Sequence, residues 1–121
     1  VDRQLLKALP LDTYSAQFDA HTLAWARQVH SGVFGSMPLA WARKGTWIEA
    51  WNGKRRVAFA PHRGGVTIYF QGSGPVDRYR EWGGNLPTGK VSIKIPVGSD
   101  FEAAILERVV REHLGLSDAT F

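Results

Sequence analysis

No cysteine occurs in the 121 residues. That single absence excludes disulfides, thiolate nucleophiles and cysteine-ligated zinc or iron–sulfur centres. Long apolar runs are missing as well, and none approaches the roughly 20 residues that a membrane helix requires. The opening residues Val1-Asp2-Arg3-Gln4 lack the basic-then-apolar order of a secretory leader. These absences together lead us to expect a cytoplasmic protein. The common catalytic signatures are missing too: there is no Gly-x-Ser-x-Gly, no phosphate-binding loop and no His-Glu-x-x-His. Gly72-Ser73-Gly74 is too short to cradle a phosphate. The histidines, His21, His30, His62 and His113, are too scattered for metal-ligand spacing. A core-edge place is expected for His21, and exposed turns for His30 and His62. A protein that is not an enzyme is the expectation.

What is present suits one globular domain spanning residues 1–121. The hydrophobic fraction is 44% and the charged fraction 21%, ordinary values for a chain that buries a core. The net charge is +4, and it is unevenly spread. Between residues 43 and 63 six cations (Arg43, Lys44, Lys54, Arg55, Arg56 and Arg63) face Glu49 alone. From residue 96 onward carboxylates outnumber arginines. A basic stretch of this kind attracts anions, nucleic acid among them, or simply solvates a set of turns.

Periodicity supplies the fold class. Asp2 to Leu9 reads as a short helix ended by Pro10, and Asp12 or Thr13 opens a second that runs to about Val29. The stripe Tyr14, Phe18, His21, Trp25, Val29 has helical spacing, and Ser31-Gly32 is the expected break. Beyond it the period falls to two. Leu39–Ala42, Thr46–Trp51, Arg56–Ala60, Val66–Phe70 and Val91–Ile95 read as strands. Asn52-Gly53 and Gly64-Gly65 mark hairpin turns, so the strands form an antiparallel meander. Val76–Trp82 suits a helical turn or two, and Ser99 or Asp100 caps a last helix to about His113, with Glu102 at the capping-box position. The expectation is an α+β two-layer sandwich: about five antiparallel strands, the N- and C-terminal helices packed on one face, the other face partly open.

Candidate sites follow from that layout. Trp47, Glu49 and Trp51 share one side of their strand, while Ile48 and Ala50 share the other. If the tryptophans point away from the helices, then Trp47, Trp51 and Tyr69 with Arg56 and Lys90 make a surface for an organic anion, a peptide or nucleic acid. Pointing inward, the same indoles complete the core; a third possibility is a homodimer interface through the Trp-rich hairpin. Asp12 and Asp19 stand two helical turns apart, about 10.5 Å at ~1.5 Å per residue. That acidic ridge suits weak binding of a hard cation.

Two stretches resemble a known family. Val33-Phe34-Gly35-Ser36-Met37-Pro38, following a helix, is similar to the aromatic-Gly-x-Pro entry to the sheet in the YdhG-like family, a domain of unknown function. Leu86-Pro87-Thr88-Gly89-Lys90-Val91-Ser92-Ile93-Lys94 resembles the Thr-Gly-Lys segment that leads into its last strand. Val57-Ala58-Phe59-Ala60, His62 and Ile68-Tyr69 follow its central hairpin, so the likeness covers most of residues 1–114. The resemblance implies a frataxin-like fold and the label often attached to the family, intracellular iron chaperone. Iron as a cofactor, held by Asp12 and Asp19, is what that label implies. Residues 39–56 run longer than the family pattern, and the extra length carries Trp41, Trp47 and Trp51.

Overall fold

The structure is a computed structural model and describes residues 18–45 and 47–116. The expected helix at Asp2–Leu9 and the positions Asp12 and Tyr14 lie outside those residues. Among the described residues eight elements follow one another: α1 (Ala20–Phe34), β1 (Trp41–Lys44), β2 (Trp47–Asn52), β3 (Arg55–His62), β4 (Gly65–Phe70), α2 (Gly74–Glu81), β5 (Ser92–Pro96) and α3 (Ala103–Leu114). The strands form one five-stranded sheet in the order β1-β2-β3-β4-β5, and every neighbouring pair is antiparallel. The α+β architecture read from the sequence is what the chain adopts.

Register explains where the core sits. Ile48, Phe59, Ile68 and Ile93 stand side by side across β2 to β5, all with no exposed surface. Alternation puts Ala50, Val57, Val66, Phe70 and Ile95 on that same side. Against it pack Trp25, Val29 and Val33 of α1 and Leu106, Val109 and Val110 of α3. Trp25 Nε1 donates to the Ile95 carbonyl at 3.2 Å, which fastens α1 to β5.

Several boundaries differ from expectation, each for a local reason. α1 starts at Ala20, because Asp19 is the N-cap and its Oδ1 accepts from the Thr22 amide at 2.7 Å. It then runs past Ser31-Gly32 to Phe34. Gly32 is there for packing: a Cβ on it would lie 2.8 Å from the Phe101 ring. Trp25 and Val29 of the expected stripe are buried and Phe18 packs against the core. His21 is exposed and Thr22 is buried in its place, while His30 lies within the helix and is half-buried. The capping box expected at α3 does not form. Glu102 takes a left-handed conformation (φ 49°) before the helix, and its carboxylate serves another element.

That element is α2. Tyr79 is wholly buried; its hydroxyl donates to Glu102 Oε1 at 2.6 Å and accepts from the Leu86 amide at 2.7 Å. Burial, and then the bond to Glu102, push the phenol pKa up to about 12. Gly84 lies so close over the ring that a Cβ would meet it at 2.2 Å. Replacing Tyr79 by Phe strands the Leu86 amide in a buried place, and should cost about 1–3 kcal/mol. Urea unfolding of Tyr79→Phe checks this, and an unchanged midpoint would remove the role given to the hydroxyl.

Candidate functional site

The β2–β3 hairpin builds the most unusual surface of the molecule. Asn52 and Arg55 pair at its tip, and Gly53 closes the turn with φ 62°. With Ile48 and Ala50 committed to the core, alternation sends Trp47, Glu49 and Trp51 to the opposite face, away from the core packing of the described helices α1 and α3. In register beside them come Arg56, Ala58 and Ala60 of β3, then Thr67 and Tyr69 of β4, then Ser92 and Lys94 of β5.

Glu49 lies beneath this surface, only 1% exposed although it is on the outer face. Trp51 Nε1 donates to its Oε1 at 3.0 Å and Trp47 Nε1 to its Oε2 at 3.3 Å. The Arg56 Nη1 atom is 3.5 Å from Glu49 Oε2. The Arg56 guanidinium lies 6.0 Å from the Trp47 ring centre and 5.7 Å from that of Trp51, at the outer limit of cation–π attraction. Arg56 Nε is buried and without a hydrogen-bond partner. The Arg56 backbone is held at both ends: its amide donates to Gln71 Oε1 at 2.6 Å, and its carbonyl accepts from His113 Nε2 at 2.9 Å.

Small residues complete the surface. With only the methyl groups of Ala58 and Ala60 between β2 and β4, the Trp47 ring reaches to 5.9 Å from Tyr69. Tyr69 is 37% exposed, the most exposed large apolar side chain among the described residues. His62 and Thr67 Oγ1 are hydrogen-bonded at 2.9 Å, and burial, then the nearby Lys94 charge, lower the imidazole pKa. Both indole N–H groups are consumed by Glu49, so the surface offers ring faces and cations. Stacking and anion binding are the chemistry it can perform.

Of the residues singled out in the sequence, Trp47, Trp51, Arg56 and Tyr69 come together here. Lys90 does not join them: it is exposed in the loop before β5, two positions short of Ser92. Trp41 goes the other way, into the core, at 3% exposure. Lys44, one of the cations expected to edge the tryptophans, shares the open face, whereas sequence reading missed Lys94 there and the role of Glu49. A carboxylate two residues from a tryptophan on either side was the available cue. Asp12 lies outside the described residues, and the Asp19 carboxylate is occupied as the cap of α1, its pKa lowered by the bond from Thr22. Among the described residues no group of three or more His, Asp or Glu side chains could hold a metal ion.

Among the described residues, two grooves on the helical side stand out. One of about 390 Å³ runs beside the edge strand β1, walled by Arg27, His30, Ser31, Phe34, Met37 and Trp41. The other, about 270 Å³, lies between α2 and α3, where Arg78 is already paired with Glu112 at 3.2 Å. No known protein family, curated protein or solved structure matches the chain. Among the described residues, no helix is long and apolar enough to cross a membrane.

Proposed function

We propose that this chain is a non-catalytic binding module that holds an anionic, ring-bearing ligand on the open face of its sheet. The observation that carries the reading is the pair of half-buried indoles fixed by one buried carboxylate, with Tyr69 exposed beside them. Apolar surface left in water costs about 25 cal/mol per Å². The neighbouring strand β1 buries Trp41, so keeping Trp47 and Trp51 outside is a feature of the face rather than a shortage of core. Their anchorage to Glu49 fixes the rings before any ligand arrives, which lowers the ordering cost of binding.

The test is tryptophan quenching at low salt by a set of ring-bearing anions: adenosine monophosphate, an aromatic carboxylate and a short oligonucleotide. At least one should quench saturably, and Trp51→Ala should weaken that ligand by roughly tenfold, the scale of one lost stacking contact. Absence of saturable quenching across the set, or an unchanged affinity in Trp51→Ala, ends the reading.

A further inference from the structure

We infer that the ligand of this face is single-stranded nucleic acid, its bases stacked on Trp47, Trp51 and Tyr69 and its phosphates held by Lys44, Arg56 and Lys94. This rests on the binding-module reading above and narrows it to one class of ligand.

Charge sorting is the first ground. The five strands carry Arg43, Lys44, Arg55, Arg56 and Lys94 against Glu49 alone, and that carboxylate is buried under the indoles. Every other carboxylate among the described residues lies on a helix or in a loop. By alternation Lys44 (opposite Trp47), Arg56 (opposite Trp51) and Lys94 (opposite Thr67) point to the open face. Cations therefore flank the aromatic rings from both edges of the sheet. A second copy of the chain docking here would set this positive face against itself, and the charge disfavours that occupant.

Extent is the second ground. Trp47 and Trp51 are four residues apart on β2, about 13 Å along the strand at ~3.3 Å per residue. Tyr69 lies two strands away from them. A single small ring covers only part of that area, whereas a chain of linked rings covers all of it.

The mode of contact is the third. Both indole N–H groups point down to Glu49, so the ring faces are what remain for a partner. Ring faces read any base by stacking and need no particular sequence. In a duplex those faces are hidden between base pairs, so the flat face favours single strands. Across the small residues Ala58 and Ala60 the Trp47 ring approaches Tyr69 to 5.9 Å, so the stacking surface continues from β2 to β4.

The experiment is a fluorescence titration of the whole chain with adenosine monophosphate, single strands of four and twelve thymidines, a twelve-base-pair duplex, and polyglutamate. The twelve-mer should bind at least tenfold more tightly than the mononucleotide and than the duplex. Its log K should fall linearly with log salt, and Lys44→Ala and Lys94→Ala should each lower that slope by about 0.7. Trp51→Ala should weaken the twelve-mer roughly tenfold or more while keeping the far-ultraviolet circular dichroism of the parent. Both lysines are exposed, so their variants remain informative if an indole variant misfolds. Mononucleotide binding without gain from chain length would overturn the nucleic-acid assignment and leave the binding module standing. Polyglutamate or duplex binding as tight as the twelve-mer would overturn it too, since charge alone would then suffice. No binding by any of the five overturns both.

Discussion

At pH 4 the protein should be about 3 kcal/mol less stable than at pH 7 because of one side chain, His30, and a His30→Phe variant should lack that loss. Its imidazole is packed against Phe34, Trp41 and Phe59 at ring separations of 5.1, 4.7 and 5.1 Å, and its Nε2 has no partner. Burial lowers its pKa from 6.5 to about 4. The unfolded chain therefore takes up a proton between those values that the folded chain refuses. Stability from this group is complete above pH ~6.5 and drains away as the pH falls toward 4, at about 1.4 kcal/mol per pKa unit of difference. Arg27 lines the same groove, so a protonated ring would also face a guanidinium. His62 and His113 are lowered as well, mainly by burial, and add losses of the same sign. Urea midpoints of wild type and His30→Phe at pH 7, 5.5 and 4 measure the difference. At pH 7 the variant should match or exceed the parent, since phenylalanine suits the aromatic surroundings and removes an unsatisfied nitrogen. Parallel pH profiles for the two proteins would show that His30 is not the sensitive group.

His30 also shows where sequence reasoning stops. Ser31-Gly32 is a sound local signal for a helix end, and an exposed histidine beside it followed from that. The signal was overridden from far along the chain, because Phe101 needs the space that Gly32 leaves. Glu102 is a similar case: three positions after Ser99 it suits a capping box, but Tyr79 and the Asn85 amide claim its carboxylate. Tertiary partners of this kind leave no local trace in the sequence.

The sheet was far more legible. Val66-Thr67-Ile68-Tyr69-Phe70 and Val91-Ser92-Ile93-Lys94-Ile95 alternate cleanly, and the glycines of the turns occur where the chain reverses, Gly53 and Gly65 with φ 62° and 149°. Alternation in β5 already placed Lys94 opposite to Ile93 and Ile95, so that cation was readable; Lys90 drew attention through its Thr-Gly-Lys motif and lies off the face. In β2 both sides carry apolar residues, so alternation alone left the direction of the tryptophans open. Glu49 closes the question physically. A carboxylate on the core side would have needed partners there, while on the outer side the two indoles and Arg56 supply them.

The three tryptophans of this region should accordingly separate in their effect on stability. Trp41 pairs with Ala50 in the sheet and so takes the core side of β1, where it meets Phe34 at 4.9 Å and Phe59 at 6.5 Å between ring centres. Trp41→Ala removes a large ring from a packed site that cannot collapse around it, at a cost of about 3–5 kcal/mol. For a domain of this size that lowers the melting midpoint by more than ~12 °C. Trp47 and Trp51 are half-buried and stand on alanine methyls and one carboxylate. Truncating either loses one hydrogen bond and part of a ring contact, for about 1–2 kcal/mol. Thermal unfolding of the three alanine variants side by side decides the matter, read together with ligand quenching of the two outer ones. Equal and large losses in all three would mean that the outer indoles are core after all, and the open face would lose its claim to a partner. A large loss confined to Trp41→Ala, with binding lost only in the other two, assigns structure to one face of the sheet and recognition to the other.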